Sequence, residues 1–137
     1  MSNADTVRAI YESFGRGDVQ GILDHMHPDV EWERWDETNT LQDAGYPPMQ
    51  QRHGHDGVVA FLGAVQQTIE LPVFELRAVF EDGDTVASRL QVRVRFKDSG
   101  NEIDDDEWHV WTFDGAGRVL AMRHLLDTKK HLDAWAG

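Results

Sequence analysis

The sequence predicts a single α+β domain in which helices precede a meander of strands. Apolar residues recur at helical spacing in three segments of the first half, whereas from residue 74 onward they alternate with polar residues. Turn-forming runs rich in Gly, Asp and Asn separate the alternating segments. Helices and strands that are segregated along the chain in this way are typical of an α+β architecture. With no linker or internal repeat, residues 1–137 form one domain.

The first 28 residues predict two helices joined by a tight turn. The first helix has an apolar stripe at positions i, i+3, i+4 and i+7, formed by Val7, Ile10, Tyr11 and Phe14. Asn3 or Asp5 could cap this helix, and Gly15 could end it. The second helix begins after Asp18, ends before Pro28, and has a stripe formed by Val19, Ile22, Leu23 and Met26.

A short strand over residues 30–35 and a long polar loop over Asp36 to Arg52 follow. Long loops in compact domains are often lids or binding loops. Asp56 then caps a third helix, and Pro72 separates it from the sheet. The remaining strands are expected over residues 74–80, 86–96, 108–113 and 118–126, before a short C-terminal helix over residues 128–135.

The composition excludes several classes of partner. A formal net charge of -12 argues against nucleic acids and anionic membrane surfaces, which need a basic face. No apolar run approaches the length of a transmembrane helix, and the N-terminus lacks the pattern of a signal peptide. The absence of cysteine excludes disulfides and thiolate metal sites. We therefore expect a cytoplasmic protein whose partner is a small molecule.

Three segments have the pattern of a known family: Gly17-Asp18 with His27 to Trp32, His53 to Phe61, and the Phe113 to Arg123 hairpin. They resemble the SnoaL-like and ketosteroid isomerase-related proteins of the NTF2-like superfamily. The resemblance implies an NTF2-like cone, with three N-terminal helices packed on a curved, mostly antiparallel sheet around a ligand pocket. It does not specify the reaction, because one fold hosts many functions.

The resemblance also shows that the catalytic residues of ketosteroid isomerase are not retained. The position of the isomerase's carboxylate base corresponds to Arg34, and the position of its protonated Asp corresponds to His109. Its tyrosine on the first helix corresponds to Ile10, with Tyr11 one position away. Steroid isomerisation by that mechanism is therefore not expected.

Carrying the fold over by position predicts the residues of the pocket. The catalytic candidates are His109, His124, Glu107 and Arg89. The substrate-binding candidates are Phe14, Trp32, Arg34, Phe61, Gln91, Arg93, Trp111, Met122 and Leu126. The two histidines suit acid-base chemistry because the ordinary pKa of histidine lies near neutrality. Glu107 could orient a histidine or act as a base, and Arg89 or Arg93 could hold a carboxylate or enolate oxygen.

The alternation of Val and Arg over residues 86–96 leaves a second interpretation open. Such a strand more often turns its Arg face to solvent, and only the resemblance favours an inward Arg89. In that arrangement Leu90, Val92, Val94, Trp108 and Val110 would form an outer apolar face. We expect a homodimer to bury that face, because it would be a large exposed patch on a monomer.

The resulting functional hypothesis is a cofactor-free isomerase, cyclase or dehydratase that acts on a small cyclic or carbonyl-containing metabolite. The alternative is a non-catalytic ligand-binding or structural dimer, which a pocket filled by its own aromatic side chains would favour. We expect no metal, because the spacing of His53 and His55 is a weak signal and the run Asp104 to Asp106 is typical of a solvated turn.

Overall fold

The computed structural model describes every residue from Met1 to Gly137. Its helices are α1 (Asn3–Gly15), α2 (Val19–Leu23), α3 (Thr40–Asp43), α4 (Gly54–Thr68) and α5 (Thr128–Ala136). Its strands are β1 (Met26–Trp32), β2 (Arg52–His53), β3 (Ile69–Asp82), β4 (Thr85–Phe96), β5 (Glu102–Phe113) and β6 (Val119–Leu125). No helix is both long and apolar enough to span a membrane.

The strands form one sheet in the order β2-β1-β6-β5-β4-β3. β1 pairs in parallel with β6, and every other neighbouring pair is antiparallel. One hydrophobic cluster joins the sheet to α1, α2 and α4 through residues such as Ile10, Ile22 and Phe61. The predicted α+β cone of three N-terminal helices on a curved, mostly antiparallel sheet is therefore confirmed.

The ends of the first helices differ from the prediction. Ser2, and not Asn3 or Asp5, caps α1, and Asp5 completes a capping box with it. Asp18 caps α2 as predicted, by accepting a hydrogen bond of 2.9 Å from the N–H of Gly21. α2 ends at Leu23, well before Pro28, because the chain pairs with β6 from Met26 onward. The prediction that Pro28 stops the helix is wrong.

α4 begins at Gly54, three residues earlier than predicted, so that Asp56 lies in its first turn and His53, not Asp56, is the cap residue. Gly54 has a φ of +70°, and a Cβ at this position would lie 3.2 Å from the carbonyl oxygen of Pro28. Only glycine adopts this conformation readily. It lets the chain turn from β2 directly into the helix that covers the inner face of the sheet.

The register between β4 and β5 decides which side chains face the interior. Ser88 lies opposite His109, and Leu90 lies opposite Glu107. Residues directly opposite one another in an antiparallel pair share a face, so the even-numbered residues of β4 point inward. The prediction that Leu90, Val92 and Val94 lie on the outer face is therefore wrong, since all three are buried.

The same register turns the arginines of β4 outward. Arg89 forms an ion pair with Asp106 at 2.9 Å, and Arg93 forms one with Asp104 at the same distance. Gln91, between them, shares their outer face. A shift of one residue moves every side chain to the other side of a sheet. The prediction of Arg89, Gln91 and Arg93 in the pocket was wrong by this single step.

A β-bulge in β3 produces a related change. The pairing with β4 shifts between Leu76 and Ala78, so that Phe80 lies on the outer face although Phe74 lines the interior. Phe80 is 56% exposed and stacks on Trp108 with their ring centroids 6.0 Å apart. Pro72 lies within β3, at a second irregularity of pairing, and does not precede the strand.

The segment over residues 36–52 contains more structure than the predicted polar loop. It forms α3 and a 3-10 turn at Pro47–Met49, and it buries Leu41, Tyr46 and Met49. The amide of Gln42 donates to the carbonyl oxygens of Glu33 and Met49, each at 3.0 Å. These hydrogen bonds hold the segment as a wall of the interior.

Candidate active site

A cavity lies between the helices and the inner face of the sheet. Of its 23 lining residues, 18 are hydrophobic. Its volume is about 90 Å³, which is room for several water molecules, since one needs ~10–15 Å³. The aromatic side chains therefore do not fill it. An apolar enclosure with a few convergent polar groups is the usual form of a ligand site.

The structure brings together most of the predicted site. Glu107, His109 and His124 line the cavity. So do six of the predicted substrate-binding residues: Phe14, Trp32, Phe61, Trp111, Met122 and Leu126.

Four predicted residues lie outside the cavity. Arg89, Gln91 and Arg93 are on the outer sheet face for the reason given above. Arg34 is exposed and lines a separate groove on that face with Arg123. Glu33, the residue before Arg34, has a φ of +55°, which breaks the alternation of inward and outward side chains at the end of β1. Glu33 is therefore buried directly after the inward-facing Trp32, and Arg34 is exposed.

A chain of hydrogen bonds connects three side chains across the cavity. The Glu107 carboxylate is 2.8 Å from His109 Nε2, and His109 Nδ1 is 2.6 Å from the Tyr11 hydroxyl. A carboxylate only accepts hydrogen bonds, so the Nε2–H of neutral His109 donates to Glu107. Its Nδ1 then accepts from the Tyr11 O–H. The order carboxylate, imidazole, hydroxyl is that of a catalytic triad.

The chain continues beyond Tyr11 to the centre of the sheet. The Tyr11 hydroxyl is 2.6 Å from Ser88 Oγ, which accepts a hydrogen bond from Trp111 Nε1 at 3.1 Å. Ser88 can therefore donate to Tyr11 while Tyr11 donates to His109. If His109 becomes protonated, the hydroxyls of Tyr11 and Ser88 can both rotate to reverse this direction. The network can thus hold His109 in either protonation state.

His124 is held by a different carboxylate. Oε1 of Glu33 accepts hydrogen bonds from the backbone N–H of His124, at 2.8 Å, and from its Nδ1. Oε2 of Glu33 accepts from Trp35 Nε1 at 3.0 Å. Glu33 is fully buried, so these contacts fix both of its oxygens. Nε2 is the nitrogen of His124 that this arrangement leaves free, and His124 lines the cavity.

The two histidines have opposite protonation preferences although their ring centroids are only 4.3 Å apart. Burial and the neighbouring His124 lower the pKa of His109, although Glu107 acts against them. Burial would also lower the pKa of His124, but the charge and hydrogen bond of Glu33 outweigh it and raise that pKa. His124 therefore takes up a proton at a higher pH than His109 does.

The charges of Glu107 and Tyr11 follow from the same environment. Burial would raise the pKa of Glu107, but the hydrogen bond from His109 and the nearby His124 and His131 hold it at about 2. Burial raises the pKa of the Tyr11 hydroxyl far above its usual value. Glu107 is therefore an anion, and Tyr11 keeps its proton unless His109 accepts it.

Two buried groups contain the residue types that bind metal ions. Glu107, His109 and His124 form one, and Asp105, Glu107 and His131 form the other, with ligand atoms within 4.8 Å of one another in each. The first group is joined by the hydrogen bonds described above, and His109 Nε2 already donates to Glu107. His53 and His55 contribute to neither group.

Three residues of this site were missed by the sequence analysis. Tyr11 was assigned to the apolar stripe of α1, because periodicity does not show which stripe residue reaches a polar partner. His131 lies on α5, where no spacing signalled a site. Glu33 was assigned to an ordinary strand position, since the positive φ that turns it inward leaves no mark in the sequence.

Comparisons with known proteins agree with this fold. The family model for the SnoaL-like domain matches residues 7–122. An NTF2-like protein of unknown function from Burkholderia pseudomallei is 30% identical over the whole of both chains, with a TM-score of 0.83. TerC, crystallised with polyporic acid, is 27% identical over 98% of both chains, with a TM-score of 0.80.

A more distant structure, from Mesorhizobium loti, has a name that refers to a SnoaL-like polyketide cyclase. It is 20% identical over 91% of this chain and 99% of its own, with a TM-score of 0.68, and shows the fold alone. Curated proteins contain no match to this chain. The chain belongs to the SnoaL-like domain family of the NTF2-like superfamily.

Proposed function

We propose that this protein is an enzyme that moves protons on a small cyclic, carbonyl-containing molecule, as an isomerase, cyclase or dehydratase, with side chains alone. The observation that carries the proposal is the histidine pair. His109 and His124 adjoin in an apolar cavity, each is held by a different buried carboxylate, and their pKa values are shifted in opposite directions. Perturbed groups in one cavity are characteristic of acid-base sites.

His124 is the acid in this proposal. Its Nδ1 is occupied by Glu33, so the ring can donate its Nε2 proton to a ligand in the cavity. When the carbonyl oxygen accepts this proton, the reaction forms a neutral enol and avoids the high energy of a charged enolate. The apolar walls strengthen the interaction because few competing dipoles are present.

Tyr11 and His109 together are the base. A proton leaves the carbon beside the carbonyl for the Tyr11 oxygen, while the Tyr11 proton passes to His109 Nδ1. The C–H electron pair forms the C=C bond of the enol, and the carbonyl oxygen takes the proton of His124. Glu107 stabilises the resulting His109 cation through its hydrogen bond of 2.8 Å. Returning the proton from His109 through Tyr11 to another carbon of the ligand completes an isomerisation. Giving it instead to a hydroxyl beside the newly formed double bond, whose C–O bond then breaks and which leaves as water, completes a dehydration.

The hydrophobic lining supports a ligand with an apolar ring system. Phe14, Trp32, Phe61 and Trp111 all face the cavity, and aromatic side chains pack well on flat rings. TerC, whose sequence is 27% identical, was crystallised with polyporic acid, which supports a small organic ligand for this chain. The alternative function, a non-catalytic ligand carrier, is favoured by the same predominance of apolar lining residues.

Deuterium uptake by a model ketone tests the proposal. We expect the protein to speed exchange of the α-protons of 2-tetralone or cyclohexanone in D₂O, followed by proton NMR. His124→Gln and Tyr11→Phe should each slow this exchange by roughly 100-fold or more, since acid-base groups contribute about 10²–10⁴. Exchange no faster than in the His124→Gln variant contradicts the enzyme, and binding without exchange supports the carrier.

We also propose a homodimer through the outer sheet face, with a smaller apolar centre than the sequence predicted. The stacked rings of Phe80 and Trp108 lie there beside Val110, and Phe80 is more than half exposed. Exposed apolar patches rimmed by polar side chains often mark interfaces. The rim here is the row of ion pairs between the β4 arginines and the β5 carboxylates.

A further inference from the structure

The wall of the cavity formed by α5 and the segment before β2 has polar groups that the acid-base chemistry does not use. Tyr46 is 2% exposed and packs edge-on against Trp135 at 5.2 Å between ring centroids. Its ring lines the cavity, and its hydroxyl has no hydrogen-bond partner in the protein. Trp32 Nε1 is the only side-chain nitrogen or oxygen that is both inaccessible to solvent and without a hydrogen-bond partner. The Tyr46 hydroxyl, which also has no partner, is therefore accessible and has open space beside it.

One oxygen of Glu107 has no hydrogen-bond partner on this side of the cavity. Its Oε2 accepts from His109, whereas its Oε1 lies 4.0 Å from His131 Nε2, too far for a hydrogen bond. His131 Nδ1 faces two acceptors, the carbonyl oxygen of Asp127 at 3.0 Å and Asp105 Oδ2 at 3.5 Å. Nδ1 therefore has a hydrogen, and Nε2 is directed towards Glu107 with no partner of its own.

A hydroxyl group fits the gap between these atoms. An oxygen at a hydrogen-bonding distance of about 2.8 Å from both Glu107 Oε1 and His131 Nε2 lies about 2 Å to one side of the line that joins them. With the proton of His131 on Nδ1, its Nε2 accepts a hydrogen bond as Glu107 Oε1 does, so the single hydrogen of the hydroxyl points between the two atoms. A carboxylate has no hydrogen to offer and is repelled by anionic Glu107. Tyr46 lines the same cavity as Glu107 and His131. Burial and the charge of Glu107 raise the pKa of Tyr46, so its hydroxyl keeps its proton and is available as a donor to a bound hydroxyl.

We propose that Tyr46, His131 and the free oxygen of Glu107 form a second polar subsite that binds a hydroxyl group of the substrate. The substrate is then a hydroxylated ring compound, with its carbonyl at His124 and its hydroxyl at α5. This statement about the substrate rests on the proposed function, whereas the binding of a hydroxyl by the subsite does not.

Two probes that differ by one hydroxyl, 2-naphthol and naphthalene, test the subsite by calorimetric titration. We expect the protein to bind 2-naphthol roughly 10-fold more tightly, as one good hydrogen bond allows. Tyr46→Phe should reduce this preference to about 2-fold and leave naphthalene binding unchanged. The variant removes a hydroxyl without protein partners, so it should fold as the wild type does.

Tyr11→Phe is the matched control, because it makes the same change in the same cavity at a hydroxyl that is already paired. It should retain the preference for 2-naphthol. A preference that survives Tyr46→Phe, or no preference in the wild type, overturns the subsite. Nitrogen NMR provides a second measurement, since 2-naphthol should shift the His131 Nε2 resonance and naphthalene should not.

The two proposals fail separately. Loss of the 2-naphthol preference in Tyr46→Phe together with no exchange of 2-tetralone would support the subsite and reject the enzyme. Exchange of 2-tetralone together with a preference that Tyr46→Phe does not alter would support the enzyme and reject the subsite.

Discussion

Replacing Glu33 by Gln tests whether this buried carboxylate raises the pKa of His124. Glu33 is fully buried and accepts three hydrogen bonds, two from His124 and one from Trp35. The amide of Gln has one acceptor oxygen, so it can keep the His124 bonds only by turning its NH₂ towards the Trp35 N–H. Breaking a buried ion pair costs about 3–5 kcal/mol. Because one oxygen remains, we expect a loss of about 3 kcal/mol in the free energy of unfolding.

The pH dependence of this loss follows from the direction of the shift. Glu33 raises the pKa of His124, so the ion pair stabilises the fold fully below the ordinary histidine value of about 6.5. That stabilisation disappears as the pH rises through the raised pKa. The difference between wild type and Glu33→Gln should therefore be larger at pH 6 than at pH 9.

Urea unfolding at both pH values measures these differences, and the nitrogen NMR titration of His124 should move to lower pH in the variant. Glu31→Gln is the matched control, because Glu31 lies two residues earlier on β1 and contacts the outer groove. If Glu33→Gln costs no more than Glu31→Gln and the His124 titration does not move, the assignment of Glu33 is wrong.

Three further predictions concern the site and the sheet. In an NMR titration of the wild type, His109 should lose its proton at a lower pH than His124; a single shared midpoint or the reverse order would contradict the division into base and acid. Trp108→Glu should convert a dimer into a monomer by light scattering, because it places a charge beside Phe80; a wild type that is monomeric at every concentration contradicts the interface. Arg89→Gln should leave 2-tetralone exchange unchanged, because the ion pair of Arg89 with Asp106 lies on the outer face. A loss of exchange in this variant would contradict the outward orientation of Arg89.

Periodicity and turn residues were enough to predict the order of the main elements. Helical stripes such as the one from Val7 to Phe14 and the alternation of β4 and β5 each reflect burial on one face, which is a local property of the sequence. The resemblance to SnoaL-like proteins then placed His109, His124 and Trp111 in one cavity, and the structure agrees. These predictions depend on spacing within an element or on segments that can be recognised by themselves.

Tertiary structure decided the contacts that depend on how elements meet. Polar and apolar residues alternate regularly in the strands that contain Arg89 and Glu107. Only the pairing of β4 with β5 shows that these two residues lie on opposite faces of the sheet. Glu33 reaches His124 because of a single positive φ, and Tyr46 and His131 meet at the cavity from segments 85 residues apart in the numbering. The sequence by itself thus determined the fold, the two histidines and Glu107. Register, backbone strain and long-range packing determined Glu33 and the hydroxyls around them, because these are properties of pairs of elements and leave no periodic signal in either one.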